Sequence, residues 1–567
     1  MIGKNNDKKS LPIGHSFFDE IIENGIYYVD KTLFVKDIID KDAKVLLCTR
    51  PRRFGKTLNQ TMLKCFFEDT SQIGGRDTRA LFSGLKIEEA GERYMEHQGK
   101  YPVIFLSFKD TGKESLDLVY AAFKDIISEE FRRHGYLREK IRNEADLKKF
   151  EDISSGGGDI SLYSSSLKFL SECLENYHGK RTVILIDEYD VPLQRSWLFG
   201  FFNELIEFVR PLLSCALKDN PHLQWAVMTG CLRVSKESIF TGLNHLDVVS
   251  ILSKEYSEYF GFTQSEIDAM LAYYGLGGKT NIVRDWYNGY LFGNTEVYNP
   301  WSSLHVVRSW INDMNEMPKP YWANTSGNDI IRDMIDKVNI EAKTGLETLM
   351  AGGTISAAVS EGVTYDEIYE NADNLWTFLL FTGYLKKVGE SVDRMGRAVL
   401  EMKIPNKEVQ IIFEDKIQKW FEKLIDGKNL DALHNAVLNG DAETFQNELS
   451  AILSESVSYM DNAESLYHGL MIGALARING YSLKSNRESG DGRSDLVLYN
   501  ANDMGGKAVI FEFKLAPNAK ALQVACEDAI KQIEDKNYAA YWAEEDYKNI
   551  IKYGIGFYKK RCVVRKG

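Results

Sequence analysis

The sequence lacks the residue patterns of several common protein classes. Its seven cysteines include no C-x-x-C pair and its nine histidines form no H-x-x-x-H pair, so neither a structural zinc site nor a disulfide framework is predicted. The apolar stretch "LWTFLLFTGYL" from Leu375 is too short and too interrupted to span a bilayer. The first residues, "MIGKNNDKKS", lack the apolar core of a secretory signal. We therefore expect a reduced, cytoplasmic protein without a membrane partner.

Positive charge is also scarce. The chain has 69 Lys and Arg residues against 82 Asp and Glu residues, a formal net charge of −13. Constitutive, tight nucleic-acid binding needs a basic surface, so that class is disfavoured, although a local basic groove stays compatible with an acidic average. The length of 567 residues exceeds what one hydrophobic core supports and predicts three or four domains.

Residues 1–245 show the pattern of an α/β domain. Short apolar runs occur at "KVLLCT" (44–49), "PVIFLSF" (102–108), "TVILIDEYD" (182–190) and "LQWAVMTG" (223–230), separated by helical stretches. Runs of this kind are typical of buried parallel strands joined by crossover helices. The low-complexity segment "SSGGGDISLYSSS" (154–166) is predicted to be a flexible loop within this domain.

Two further segments are predicted. Residues 246–435 are dominated by helical patterns and form a mainly helical middle region, with a winged-helix or lid domain as one option. Residues 436–567 start helical and continue with "SDLVLY", "AVIFEFK", a helix through "ACEDAIKQI" and a strand near "YGIGFY". This pattern indicates a second α/β unit.

The stretch "LLCTRPRRFGKTLNQ" resembles a phosphate-binding loop in which Arg50 replaces the first glycine of G-x-x-x-x-G-K-[ST]. Gly-Lys-Thr alone is weak support, but here it follows an apolar strand and begins a helix. Loop N–H groups and a helix N-terminus at one point form an anion site. We predict binding of ATP or GTP by Arg52, Arg53, Phe54, Gly55, Lys56, Thr57 and Leu58. Lys56 would reach the phosphates and Thr57 would hold Mg²⁺.

The strand "TVILID" supplies acids that suit this site. Asp187 would orient the magnesium shell and Glu188 would act as general base on the attacking water. The alternative is that both acids cap a helix after an ordinary strand. Thr229, which ends the fourth strand, is a candidate sensor of the γ-phosphate. Arg233 is a candidate arginine finger, and a plain surface arginine is the alternative.

The arginines of "RPRRF" bring positive charge to the loop. Arg50, Arg52 and Arg53 would compensate for the missing glycine by touching phosphate directly. The alternative is that these side chains pair with acids of neighbouring helices.

A second group of charged residues lies in "FEFKL". In a strand, Glu512 and Lys514 project from one face, while Phe511 and Phe513 point to the other. Asp495 comes 17 residues before Glu512, and a hairpin would bring the two carboxylates together as a Mg²⁺ site. Lys514 would activate water and stabilise charge on a cleaved phosphate. The alternative is an exposed salt-bridge ladder on an edge hairpin.

Motifs along nearly the whole chain resemble one bacterial family. They are "LPIGHSFFDEIIENGIYYVDKTLFVKDII", "RPRRFGKT", "ILIDEYDVP" and "TGCLRVSKESIFTGLNHL", and they resemble the predicted AAA-ATPase-like proteins, usually joined to a C-terminal PD-(D/E)XK nuclease-like domain. The resemblance implies a P-loop NTPase domain in residues 1–245 and a restriction-endonuclease-like domain in residues 436–567. It also assigns Asp495, Glu512 and Lys514 to the nuclease motif, with Glu464 as an additional helix acid and Gln532 as the glutamine of the following helix.

The resemblance implies an ATP- and Mg²⁺-using hydrolase that acts on DNA or RNA, with a role in defence against foreign DNA; a homo-oligomer is compatible with the sequence. A nucleotide-switched binding or signalling protein with an inactive nuclease-like domain is the alternative. The segment "YVDKT" (28–32) is expected to pack beside the nucleotide, and His468 and Tyr467 are expected to line the second cleft.

Overall fold

The computed structural model describes residues 8–74, 77–218, 220–233, 246–324, 345–346, 348–350, 352–362, 366–413, 430–456, 464–475, 478–489, 492–500, 506–545 and 547–567. The chain divides into two compact units. The first comprises Met1–Trp322 and Ala357–Glu408, and the second comprises Ala323–Ser356 and Val409–Gly567. Within the described ranges, no helix has both the length and the apolar character needed to cross a membrane.

The first unit is built on a five-stranded parallel sheet. Its strands are β1 (Val45–Thr49), β2 (Val103–Ser107), β3 (Thr182–Asp187), β4 (Leu223–Gly230) and β5 (Leu246–Val249), in the spatial order β2-β3-β4-β1-β5. All four of its strand pairs are parallel. The four predicted strands are confirmed, whereas β5 was not predicted. Because the strands run in one direction, the ends of β1, β4 and β3 meet at one edge of the sheet.

The helices that accompany this sheet are Phe18–Glu23, Leu33–Lys41, Lys56–Phe67, Lys86–Glu89, Glu92–Met95, Leu116–Arg133, Glu144–Ser154, Ser166–His178, Val191–Phe199 and Phe202–Leu217. The glycine-rich segment predicted to be a flexible loop contains the 3₁₀ helix Ile160–Ser165. Tyr163 is fully buried there, and its hydroxyl donates to the carbonyl of Gly157 at 2.9 Å. One buried aromatic side chain therefore anchors a segment whose composition alone suggested a loop.

The rest of the first unit combines helices with short strands. The helices are Gln264–Tyr274, Thr280–Tyr287, Pro300–Asn312 and Ala372–Phe381. Strands β6 (Tyr290–Phe292) and β7 (Thr295–Val297) form one hairpin. Strand β8 (Ile355–Ala358) crosses the division of the chain at Ser356, and β9 (Lys386–Val392) and β10 (Ala398–Lys403) form another hairpin. In the described part of the middle region, turn-rich stretches fold into hairpins between the helices. Its predicted limits at residues 245 and 435 stay predictions.

The second unit contains a five-stranded mixed sheet. The strands β11 (Tyr481–Ser489), β12 (Gly492–Asn500), β13 (Lys507–Leu515), β14 (Asn549–Tyr558) and β15 (Arg561–Lys566) are neighbours in chain order. Only the β13–β14 pair is parallel. Its helices are Asp431–Asn439, Ala442–Ser456, Glu464–Leu475, Leu522–Asp535 and Tyr538–Glu544. The second α/β unit predicted from the sequence is confirmed.

Two glycines let a helix approach this sheet closely. A Cβ atom on Gly556 would lie 2.4 Å from the carbonyl oxygen of Leu522, and one on Gly554 would lie 2.7 Å from that of Cys526. Both obstacles are backbone atoms of the helix Leu522–Asp535, so only a shift of the helix could relieve them. The "YGIGFY" strand therefore carries glycine for contact with the helix.

We expect Gly556→Ala to destabilise the second unit by about 1–3 kcal/mol, since overpacking a close contact costs that much. Denaturation by urea measures the loss. Gly278→Ala is the matched control, because a Cβ atom at Gly278 meets nothing within 4 Å. Equal stability of the two variants would contradict the close helix–strand contact.

Candidate functional site

The loop after β1 is shaped by its backbone. The N–H of Arg50 donates to the carbonyl of Gly230 at 3.0 Å, which ties the start of the loop to the end of β4. Within the loop, φ is positive at Arg53 (70°) and at Gly55 (83°), directly before the helix that begins at Lys56. Gly55 meets the requirement for glycine, since left-handed backbone strains other residues. Arg50 is outside this strained part, so the missing first glycine does not prevent the turn.

The Arg50 side chain does not reach the phosphate position, and the predicted phosphate contact is wrong for this residue. Its guanidinium is fully buried and donates to the carbonyl oxygens of Thr49 and Val249, both at 2.9 Å. It also lies over the rings of Phe260 and Phe292. Burial lowers the pKa of Arg50 to about 10. Arg50 therefore links β1 to the chain after β5.

Lys56 is held at the centre of the loop. Its ammonium group donates to the carbonyl oxygens of Arg50 and Pro51, both at 3.0 Å, and lies 3.5 Å from the Sγ atom of Cys231. The side chain is only 4% exposed. The ammonium group is buried and hydrogen-bonded to neutral loop carbonyls and a thiol. A phosphate oxygen would accept a stronger, charge-assisted hydrogen bond from it.

The predicted magnesium residues meet in one network. Asp187 at the end of β3 is fully buried and accepts from the Thr57 hydroxyl at 2.7 Å and from the Thr229 hydroxyl at 2.6 Å. Burial raises the pKa of Asp187, and the two hydroxyl donors oppose that rise. The ends of β3 and β4 and the first turn of the helix Lys56–Phe67 thus place two hydroxyls and one carboxylate together. The alternative of a helix-capping acid does not describe Asp187, because its carboxylate binds side-chain hydroxyls.

Glu188 follows Asp187 in a strained conformation. Its φ is 52°, in the left-handed region that non-glycine residues rarely occupy. Its N–H donates to the Thr229 hydroxyl at 3.4 Å, and its side chain is partly exposed. Strain of this kind persists where surrounding structure enforces it and is common at functional sites. The sharp turn separates the buried Asp187 from a second acid that is open to solvent.

Asp190 belongs to the same site although it was not predicted. It is 4% exposed and accepts from the N–H groups of Cys231 (2.8 Å) and Leu232 (3.0 Å). These bonds hold the turn after β4, which leads to Arg233. The motif "DEYD" contains this acid, but an acid three residues after a strand is not by itself a functional signal. Arg233 is partly buried, and residues 234–245 lie outside the described ranges.

Among the other predicted loop residues, Arg52, Arg53 and Phe54 each contact a different part of the first unit. Arg52 donates to the Gln194 amide oxygen at 2.7 Å, and the exposed Arg53 lies 4.3 Å from the ring centre of Trp301. Phe54 is fully buried, and its ring is 4.9 Å from that of Tyr290. The Phe54 side chain anchors the loop, so only its backbone can face a ligand. Leu58 lies partly buried in the first turn of the helix Lys56–Phe67.

The segment "YVDKT" (28–32) forms hydrogen bonds to residues that are distant in the chain. Lys31 donates to the Glu266 carboxylate at 2.6 Å and to the Glu258 carbonyl oxygen at 2.6 Å. Asp30 accepts from the Thr32 hydroxyl at 2.6 Å and from the N–H of Lys86 at 2.7 Å. These bonds join distant parts of the chain within the first unit. Packing of this segment beside a nucleotide stays a prediction.

In the second unit, the sheet brings the predicted nuclease residues together. The antiparallel register of β12 and β13 pairs Leu496 with Phe511, and the Phe513 N–H donates to the Asp495 carboxylate at 2.7 Å. Asp495 and Glu512 are therefore adjacent. Phe511 and Phe513 are buried in the core behind them, which matches the predicted alternation. Burial raises the pKa of Asp495.

Glu512 is buried rather than exposed, so the alternative of an exposed salt-bridge ladder is wrong. Its Oε1 atom accepts from the Gln532 amide and lies 3.5 Å from the Lys514 ammonium. Its Oε2 atom is buried without a hydrogen-bond partner. Burial, followed by the nearby charge of Asp495, raises the pKa of Glu512 to about 7. A buried, unpaired carboxylate oxygen is costly, and a bound cation would remove that cost.

The remaining predicted residues lie on one flanking helix, Glu464–Leu475. His468 contacts the Asp495 carbonyl oxygen through Nε2 at 3.1 Å. Tyr467 is instead fully buried, stacks on Phe557 at 4.3 Å between ring centres and donates to the Lys559 carbonyl. Its predicted place in the cleft is wrong. Glu464 begins the helix Glu464–Leu475, and its side chain lies outside the described part of the structure.

The donor set suits a hard divalent cation. In the described ranges, no group of three or more His, Cys, Asp or Glu side chains is placed to hold a metal. The pair Asp495 and Glu512 nevertheless offers carboxylate oxygens, which Mg²⁺ prefers, and Mg²⁺ completes its coordination with water and substrate phosphates. Two protein carboxylates are therefore enough for such a site.

Removing the negative charge of Glu512 should stabilise the protein when no divalent cation is bound. The folded-state pKa of about 7 exceeds the unfolded value, so the folded protein binds more protons between those two values. Its free energy of unfolding falls as pH rises through this range. We expect Glu512→Gln to gain about 3 kcal/mol at pH 8 in EDTA and nothing near pH 4. Urea denaturation at both pH values measures the difference, and an equal gain at both would contradict the burial effect.

The fold and sites define an α/β protein with a P-loop-like N-terminal domain and a C-terminal nuclease-like domain. Residues 12–240 match the family model described as Predicted AAA-ATPase, and residues 462–567 match that of the PD-(D/E)XK nuclease superfamily. The resemblance stated from the sequence is confirmed.

A curated relative supports the joining of these domains in one chain. The relative, described as "Uncharacterized protein in vnfD 5'region" from Azotobacter chroococcum mcd 1, is 27% identical over 549 residues. The alignment covers 94% of this chain and 93% of the relative, so it spans both matched regions. The similarity thus extends over an ATPase–nuclease architecture.

Proposed function

We propose that the protein binds and hydrolyses ATP and uses this reaction to control Mg²⁺-dependent cleavage of nucleic-acid phosphodiesters. The ATPase part is supported by Asp187, whose carboxylate joins the hydroxyls of Thr57 and Thr229 beside the buried Lys56. The nuclease part is supported by the unpaired, buried Oε2 atom of Glu512 next to Asp495. That oxygen is the observation that carries the proposal, because a buried, unbonded carboxylate oxygen beside a second carboxylate can serve as a ligand of a hard divalent cation.

In the ATPase site, Lys56 exchanges the carbonyls of Arg50 and Pro51 for phosphate oxygens. Thr57 and Asp187 would hold Mg²⁺, which would neutralise phosphate charge when bound. Glu188, which follows Asp187 in a left-handed conformation and is partly exposed, would orient and deprotonate the attacking water. Thr229 keeps Asp187 and the Glu188 backbone in register with β4. Arg52, Arg53 and Arg233 are proposed to add positive charge near the phosphates.

In the nuclease site, Asp495 and Glu512 would hold Mg²⁺, which polarises the scissile phosphate. Lys514, partly exposed beside Glu512, positions the attacking water and stabilises charge that develops on the phosphate. Gln532 fixes the Glu512 carboxylate from the helix Leu522–Asp535. Glu464 is proposed as an additional acid.

The test is a cleavage assay with single- and double-stranded DNA and RNA in Mg²⁺ or Mn²⁺, with and without ATP. Nucleolytic products that require the divalent cation support the proposal, and no cleavage in any combination contradicts its nuclease part. Because we propose a cytoplasmic defence role, the assay includes foreign plasmid DNA and host chromosomal DNA. Light scattering in parallel measures whether the chain forms a homo-oligomer.

A second candidate function is a nucleotide-switched binding protein. It is favoured by the bonds that already engage both acids, namely Phe513 N–H to Asp495 and the Gln532 amide to Glu512. In this case the second unit would bind DNA, RNA or a protein without cutting it. Nucleotide-dependent binding of the same nucleic acids, with no products, would favour this function.

A further inference from the structure

The carboxylate of Glu408 is buried in the first unit, far along the chain from either motif. It contacts Trp322, and this contact is called the junction below. The carboxylate is fully buried, and its Oε1 atom accepts from the Trp322 backbone N–H and from the Ser302 hydroxyl, both at 2.9 Å. Its Oε2 atom has no hydrogen-bond partner. Burial raises the pKa of Glu408 to about 7. Burying a carboxylate with an unbonded oxygen costs free energy of folding. This cost indicates that Glu408 has a role beyond filling space.

The two bonded residues occupy special places in the chain. Trp322 is the last residue of the first segment of the first unit, and Glu408 is the last residue of its second segment. The bond between them joins two of the points at which the chain leaves this unit. The Ser302 hydroxyl fixes the same carboxylate to the helix Pro300–Asn312. A shift of the Glu408 carboxylate would therefore move the backbone at the points where the chain continues into the second unit.

This junction is packed against the candidate nucleotide loop through aromatic rings. Phe54 of the loop contacts Tyr290 edge to face at 4.9 Å, and Tyr290 contacts Trp322 edge to face at 6.5 Å. Gly383 lies close to the loop as well, since a Cβ atom there would be 3.0 Å from the Cβ of Pro51. A contiguous series of buried side chains thus runs from the loop to Glu408.

Phosphate binding changes the end of this series that lies in the loop. The Pro51 carbonyl now accepts from Lys56, and we expect this hydrogen bond to be exchanged or weakened when Lys56 binds phosphate. Movement at Pro51 or Phe54 reaches Tyr290 and Trp322, because close-packed rings shift between discrete arrangements instead of deforming freely. The bond from Trp322 to Glu408 is the polar contact at the end of this path.

We propose that Glu408 is a positioning residue that couples the nucleotide state of the loop to the chain segments entering the second unit. The proposal rests on ATP binding at Lys56, as proposed above. It predicts that ATP alters the Trp322 and Glu408 junction, and that the alteration requires an acceptor oxygen at position 408. A Glu408 that serves only as a structural tie would affect stability but would not transmit a response to ATP.

Hydrogen exchange of the full chain, with and without ATP, measures this response in peptides that contain Trp322 and residues 404–413. Nucleotide affinity is determined for each variant. The variants are Glu408→Ala, which removes the acceptor, and Glu408→Gln, which keeps one. Ser302→Ala removes one donor and retains the Glu408 side chain. Glu390→Gln is the control, since Glu390 is an exposed acid paired with Lys387 in the same unit.

We expect ATP to change exchange at the junction in the wild type, in Glu390→Gln and in Glu408→Gln. In Glu408→Ala the change should be lost while ATP still binds, and Ser302→Ala should reduce it. The proposal is overturned if Glu408→Ala responds as the wild type does, or if the wild type binds ATP without any change at the junction. Should Glu408→Ala fail to fold, a full response in Ser302→Ala overturns it. Absence of ATP binding by the wild type would instead refute the proposed function.

Discussion

Lys56→Ala is expected to weaken ATP binding by at least about 100-fold. The Lys56 ammonium is buried among the carbonyls of Arg50 and Pro51, so it meets phosphate with little competition from water. Loss of one partner from a buried, charged pair costs about 2–5 kcal/mol, and about 2.8 kcal/mol corresponds to a factor of 100. Titration calorimetry with ATP and Mg²⁺ measures the affinity.

The control is Lys36→Ala, which removes an exposed lysine that pairs with Asp40 on the surface. Its ATP affinity should equal that of the wild type. Urea denaturation shows whether the Lys56 variant is folded. Unchanged ATP affinity in folded Lys56→Ala would contradict the assignment of the loop.

Glu512→Ala is expected to lower nucleic-acid cleavage by about a thousandfold, equivalent to about 4 kcal/mol of transition-state stabilisation. The reason is that Glu512 would supply a carboxylate to Mg²⁺ and also contacts Gln532 and Lys514. ATP hydrolysis should stay near the wild-type rate, since Glu512 lies in the second unit and the phosphate loop in the first. Product formation and phosphate release, measured in one preparation, separate the two activities.

Glu527→Ala serves as the matched control on the second unit. Glu527 lies on the helix Leu522–Asp535 and pairs with Arg565 at the surface, so its loss should leave cleavage unchanged. Glu512→Gln, which keeps the shape of the side chain, should be as inactive as Glu512→Ala. Cleavage by either Glu512 variant at the wild-type rate would contradict the assignment of Glu512 to a nuclease site.

The parts of the fold that depend on short-range patterns could be predicted from the sequence. The apolar runs of β1 to β4 and the alternation of Glu512 and Lys514 with buried phenylalanines follow from strand geometry. The meeting of Thr57 with Asp187 follows from the rule that parallel strands end at one edge. Local pattern and tertiary structure agree at these positions.

The predictions that failed depend on long-range packing. Arg50 comes shortly before two other arginines in the chain, Arg52 and Arg53, and nothing local shows that Val249, 199 residues away, supplies a carbonyl acceptor for the Arg50 side chain. Tyr467 next to His468 does not reveal which of the two faces the core. The glycine-rich segment lacks an apolar run, yet the buried Tyr163 helps to anchor it.

The residues that were missed have the same explanation. Asp190 has a role only because the turn after β4 offers it two N–H groups. Glu408 is 86 residues from Trp322, and it occurs in a sequence without any motif. Neither position can be identified until the strands and helices are assembled.

The central claim is that nucleotide at Lys56 controls cleavage at Glu512. The most direct measurement is the rate of DNA and RNA cleavage in Mg²⁺ by the wild type, Lys56→Ala and Glu512→Ala, each with and without ATP. We expect ATP to change the rate of cleavage by the wild type and to leave the rate of Lys56→Ala unchanged. We expect no cleavage by Glu512→Ala. Identical wild-type rates with and without ATP, in a protein that binds ATP, would contradict the central claim.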